Sequence, residues 1–287
     1  MNKTVELNLH IDIIPFINIS LYLNNIPFIQ SLFLENTGET DSGTIELKVS
    51  SDIPCIEPFS YTIAFLPAGK EFKVPLDSLK IDRKFLDAIS ESEQATIKFE
   101  VIEEGQNVLT EERIVAIHPL EHFGGFGILP ELVASYVTPN HPYVYQIKRK
   151  AIEVLEQQGL RTAFEGYQND SPERVLQMMS AIYTAIQHEG IIYSSLPPGY
   201  EHIGQRLRLL STIQKERFGN CIDISLLFAA CLEAIDLNPV IVVTKGHAFV
   251  GCWLHDDKFA EVVNDDKAAI TKRLAKGICE LAVVGGG

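Results

Sequence analysis

Between Pro119 and Pro130 the spacing of apolar residues along this 287-residue chain changes, and with it what each side can fold into. Before that stretch, apolar and polar residues alternate over short runs, the period of a half-buried strand. The runs are 4–14, 28–36, 44–50, 61–66, 70–75, 94–103 and 107–117. Turn signals separate them: Asn36-Thr37-Gly38, Asp41-Ser42-Gly43, Pro67-Ala68-Gly69 and Glu104-Gly105-Gln106. Evenly spaced short strands predict an antiparallel immunoglobulin-like β-sandwich over residues 1–120, with a short helical insertion at 85–89. Residues 121–130, carrying Gly124-Gly125 and Gly127, read as a linker. After it the period becomes helical, over 130–136, 143–158 and 172–189. Ser171-Pro172-Glu173 is a helix start, and Gly159 and Gly190 are helix stops. The expected fold class is therefore α+β, with a second, helix-rich domain over 131–287.

Within that second domain, residues 216–254 carry the chemistry. Gly219-Asn220 is a turn dipeptide, and Ile222, Leu226, Ala229, Ala230 and Glu233 after it step by three and four. Cys221 falls in the first turn of the predicted helix, where unpaired N–H groups and the helix dipole favour a thiolate. Asp223 suits the same dipole and reads as structural. Poor helix formers and a proline over 236–239 end the helix. Val240–Thr244 and His247–Leu254 then read as two strands of a hairpin turning at Lys245-Gly246. A hairpin beside the helix brings His247 toward Cys221, the order that a thiol nucleophile and an imidazole base require. The plainer alternative is a core cysteine and a satisfied histidine beside a turn.

Gly-x-Cys-x-Asp, an apolar helix, then a strand bearing His-Ala-aromatic resembles the transglutaminase-like branch of the papain-type cysteine peptidases, over roughly residues 180 to 284. A closer resemblance covers nearly the whole chain. Pro130-Glu131-Leu132-Val133-Ala134, Pro139-Asn140-His141-Pro142, Gly166-Tyr167-Gln168, Pro197-Pro198, Gly204-Gln205-Arg206-Leu207-Arg208 and the stretch Gly246-His247-Ala248-Phe249-Val250-Gly251-Cys252-Trp253-Leu254 carry it. They are similar to a module that lies ahead of the helicase core in large bacterial superfamily-one helicase-like proteins. The resemblance implies a transglutaminase-like, papain-like α+β domain with Cys221 as nucleophile and His247 as base. It also implies an acid or amide on the strand after the histidine strand, to orient the imidazole. Glu280, in the run 278–284, is the acid there, and Glu261, in 259–263, competes with it. Related modules often carry an acid just past the position of Val284, where this sequence has Gly285-Gly286-Gly287.

Gln205 is the side-chain candidate for an oxyanion donor, since an amide N–H can be aimed at a tetrahedral intermediate. A polar loop residue or local cap is the alternative. The Cys221 backbone N–H is a second donor, and Arg206 and Arg208 beside Gln205 suit a carboxylate or solvent.

Charge limits the partners. The formal charge of −14 is concentrated at the front: residues 1–125 carry 9 Lys+Arg against 20 Asp+Glu. Such a half lacks the clustered cations that phosphate neutralisation needs, so no direct nucleic-acid contact is expected. Five cysteines (55, 221, 231, 252 and 279) with no CxxC pair favour a reducing compartment over disulfides. Zinc on Cys221, His247, Cys252 and His255 is disfavoured, because His247 and Cys252 alternate onto opposite strand faces. No cofactor is expected. The apolar stretch 11–29 is broken by Asp12, Pro15, Asn24-Asn25 and Pro27, so neither signal peptide nor membrane span fits, and a cytoplasmic protein is expected. The terminal triglycine resembles a ubiquitin-like conjugation end only in composition. Two functions remain: a cysteine hydrolase or acyl transferase acting on a protein or peptide substrate, or an inactive docking fold serving the remainder of a helicase-like protein.

Overall fold

The computed structural model describes residues 5–194 and 204–266, together with the backbone of Leu281–Val283. The chain forms two compact units that divide between Gly124 and Gly125, and its architecture mixes helices with several sheets.

The first unit contains β1 (Leu7–Ile13), β2 (Phe16–Ile17), α1 (Ile19–Leu23), β3 (Ile29–Asn36), β4 (Ile45–Ser51) and β5 (Phe59–Ile63). It continues with β6 (Lys70–Lys73), α2 (Arg83–Ala88), β7 (Glu93–Glu103) and β8 (Gln106–Ile117). One sheet has the order β1-β3-β6 and the other β2-β8-β7-β4-β5. Pairing is antiparallel except for β2, which runs parallel to the end of β8. Alternation is kept in register: Leu47 faces Val101 and Val49 faces Phe99, all four buried. Glu104 (φ 48) and Gly105 (φ 82) turn β7 into β8 in the left-handed region, the pattern expected of a tight hairpin. The five-residue α1 had no helical period to announce it. It is set by Asn18, whose side chain accepts from the Leu21 N–H at 3.0 Å.

At the end of β8 the His118 ring stacks on His122, 4.0 Å between centroids, and Ser92 Oγ lies 2.9 Å from His118 Nδ1. Burial, then the neighbouring His122, pulls the His118 pKa from 6.5 down to about 4. Between those values the unfolded chain binds a proton that the folded one refuses. Stability is therefore fully present above pH 6.5 and falls as pH drops toward 4, by about 3 kcal/mol. Urea unfolding at pH 7 and pH 4.5 should show this loss in the wild type and a loss smaller by most of that amount in His118→Asn.

The second unit opens with a 3-10 turn at Pro130–Tyr136, then α3 (Pro142–Gln157) and α4 (Pro172–Gln187). Pro172 takes the first turn of α4, and the Ser171 side chain accepts from Arg174 N–H, so the expected start signal is realised. Next come β9 (Ile192–Tyr193), α5 (Leu210–Glu216), β10 (Phe218–Gly219) and α6 (Cys221–Glu233). The hairpin β11 (Pro239–Thr244) and β12 (His247–Trp253) follows, and β13 (Leu281–Val283) pairs with β12. Sequence reasoning assigned no element to α5. This helix has no side-chain cap, and it stops at Arg217 in the left-handed region (φ 54), where no glycine marks the end. The run 259–263 is loop and bend rather than strand.

Helix α6 is the core of this unit. Eleven of its 13 residues are buried, and α3, α4 and the hairpin pack around it. A helix apolar on all sides belongs inside. Met178 and Met179 of α4 are buried in this core. Among the described residues no helix is long and apolar enough to cross a membrane.

Candidate active site

Cys221 is the first residue of α6 and is 6% exposed. Its position follows from the cap before it. The Asn220 side chain accepts from Asp223 N–H at 3.0 Å, and the Asp223 carboxylate accepts from Asn220 N–H at 3.0 Å. This reciprocal box satisfies two of the orphan donors of the first turn and fixes where the helix begins. Asp223, fully buried, also accepts from the Arg208 N–H at 2.8 Å and from its guanidinium at 3.0 Å. Burial pushes its carboxyl pKa up, against the opposing pull of those donors. The same guanidinium lies over the Phe218 ring, 5.0 Å from its centroid. Asp223 therefore has the structural role read for it, and it ties the 205–208 segment to the start of α6.

That tie places Gln205 three residues from Arg208, within about 10 Å of backbone reach of the first turn. Gln205 is extended and 6% exposed, and neither atom of its amide has a hydrogen-bond partner among the described residues. The Asn220 Nδ2 is buried and unpartnered as well. Buried amides are rarely left so, and both retain donor capacity for an incoming group.

The other side is built by β9 and β10, a short parallel ladder in which Tyr193 faces Gly219. Burial first, then the neighbouring Cys221 thiol, raises the Tyr193 pKa. The ladder is anchored by Glu189, whose side chain is 1% exposed and which pairs with Lys150 and Arg217 and accepts from the Tyr143 hydroxyl at 3.2 Å. Arg217 also donates to the Glu189 carbonyl at 3.1 Å, closing the base of the ladder.

His247 opens β12 opposite Thr244, whose hydroxyl donates to the His247 carbonyl at 3.2 Å. Strand β12 packs on α6, and the His247 ring sits 6.3 Å from that of Phe249. Among the described residues no hydrogen bond joins Cys221, His247 and Gln205 to one another. Glu261 is exposed in a bend. Glu280, Cys279 and the terminal glycines lie outside the described residues. The stretch 193–200 reads in the sequence as a loop walling a cleft; the structure places Tyr193 in β9 instead, and 195–200 lie outside the described residues, while Glu189 escaped sequence reasoning in its role.

Burial raises the pKa of the other described thiols, Cys55 and Cys231 among them, and pushes Cys252 up to about 11. Cys252 donates to the Trp253 carbonyl at 3.4 Å, and His255 pairs with Asp170 at 3.0 Å. No group of three or more His, Cys, Asp or Glu among the described residues is placed to hold a metal. Comparison with known proteins returns no matching family, no matching curated protein and no matching solved structure.

Proposed function

We propose that the second unit is a transglutaminase-like cysteine hydrolase acting on peptide or isopeptide bonds, carried with an immunoglobulin-like unit as a module of a larger, helicase-like protein. One observation carries this reading: Cys221 opens a capped, buried helix, and the strand packed on that helix begins at His247. Cys221 attacks the acyl carbon while His247 takes the thiol proton. The oxyanion accepts from the Gln205 amide and the Cys221 N–H, and His247 returns the proton to the departing amine. Water, deprotonated by His247, then cleaves the thioester and releases the acid. An amine in place of water gives acyl transfer by the same residues.

The third member is proposed from Glu280 or Glu261, and the register of β13 bears on the choice. Leu281 pairs opposite Trp253 and Val283 opposite Gly251, so β13 approaches the His247 end of β12 as residue number rises. An orienting group that this strand carries to the level of His247 follows Val283, which weighs against Glu280.

Iodoacetamide labelling against pH, read by peptide mapping, tests the pair. Cys221 should label at about pH 6 on the order of 100-fold faster than an ordinary thiol, and His247→Ala should remove that advantage. Glu280→Gln should leave the profile unchanged. Slow labelling of Cys221 in the wild type, indifferent to His247, would replace this reading with an inactive docking fold.

A further inference from the structure

Strand β11 is the outer strand of its sheet, and one bond fixes which of its peptide groups face outward. Trp253 N–H donates to the Asn238 carbonyl at 3.2 Å, so Asn238 and every second residue after it face β12. Pro239, Ile241 and Val243 therefore turn their peptide groups to the open side, where no strand pairs with them among the described residues. Pro239 has no N–H, and Lys245 already belongs to the turn. Within β11, then, only Ile241 and Val243 offer outward both a donor and an acceptor. Sheet edges are commonly blunted by charge or by a bulge. Outer strand β6 carries Lys70, Glu71 and Lys73, and β1 is bulged beside Asp12. Strand β11 has neither device. The stretch 237–244 is free of charge, its register with β12 is unbroken, and Val243 is 41% exposed.

We propose that this edge is the contact between two copies of the chain, joined by antiparallel pairing of β11 with itself about Val242. In that register Ile241 of each copy faces Val243 of the other, and both hydrogen bonds of each pair form. A slip to the next register either way sets Pro239 or the turn residue Lys245 against a pairing residue and loses bonds. Charge selects a second copy as the occupant. With a formal charge of −14 on each chain, an uncharged strand is where two copies meet at least electrostatic cost. The register also sets Gly246 opposite Asn238 of the other copy, whose side-chain amide donates to the Asp256 carboxylate at 3.0 Å. Lys245 is exposed and has no ion pair among the described residues, and the pairing carries it to that Asp256 corner, twice by symmetry. The contact is independent of the chemistry at Cys221.

Sedimentation equilibrium of the full chain tests the contact. The wild type should be a monomer–dimer mixture with a dissociation constant on the order of 100 µM, as suits a small interface. Val243→Pro removes the outward N–H while Val242 and Thr244 keep their bonds to β12, and should weaken association at least about tenfold. Lys245→Glu should weaken it about threefold, and Lys245→Glu/Asp256→Lys should restore it. Val242→Cys lies on the symmetry axis and should oxidise to a linked dimer faster than Thr244→Cys, although Thr244 is the more exposed position. A wild type still monomeric at about ten times that concentration overturns the proposal. So does a dimer that Val243→Pro and Lys245→Glu both leave intact, or faster linkage through Thr244→Cys. Should the proline variant fail to fold, the charge swap and the cysteine comparison decide alone.

Discussion

Asp223→Ala is expected to destabilise the protein by about 3–5 kcal/mol, among the largest effects of any single substitution here. The carboxylate has no exposed surface, and it accepts from two backbone N–H groups and one guanidinium. Removing it strands the Asn220 and Arg208 N–H groups in a site that water does not reach. The Arg208 guanidinium is less affected, since that side chain is 28% exposed and can turn outward. Asp223→Asn should cost less, because Oδ1 still accepts one backbone N–H, but its new Nδ2 faces donors. The order wild type, asparagine, alanine in urea midpoint checks the claim. Equal stability of the alanine variant and the wild type would show that the cap and the 205–208 tie contribute nothing.

The second large effect is at Glu189. Lys150→Met or Arg217→Met alone leaves the buried carboxylate one cation, and each should cost about 1–2 kcal/mol. The double variant leaves it only the Tyr143 hydroxyl, and should cost about 3–5 kcal/mol, more than the singles added together. Replacing the acid as well, in Lys150→Met/Glu189→Met/Arg217→Met, should return much of that loss, because an apolar trio carries no desolvation penalty. Chemical denaturation of the four variants gives the coupling directly. Strict additivity, with no recovery in the triple variant, would count against a buried, mutually compensated cluster.

The elements legible in the sequence were those with local causes. Strand β7 and strand β8 were read to within one residue at each end, because alternation and the Glu104-Gly105 turn agree. Helix α6 was legible from Gly219-Asn220 and a run of threes and fours, and Asp223 was rightly given to the helix rather than to the chemistry. What the sequence hid depends on pairing between segments. The two-residue β9 has too few residues for any period, and it exists only because β10 lies beside it. The burial of Glu189 is equally invisible, since its cations come from positions 150 and 217. The parallel β2 escaped notice for the same reason as β9. In the site, the residue types and their order were readable, while the pairing that brings Tyr193 beside the thiol was not.

Helix α6 has a consequence for motion. A helix whose sides all face packed neighbours has no solvent-facing strip along which to fray, and only Ile224 and Glu233 of its residues fall outside the buried set. Local opening draws on segments with few buried contacts, so the amides of α6 belong with the slowest-exchanging group, released only when the whole unit unfolds. The thiol at its tip thus sits on the most persistent part of the unit. Local opening near that thiol therefore falls to the short ladder and the hairpin around it.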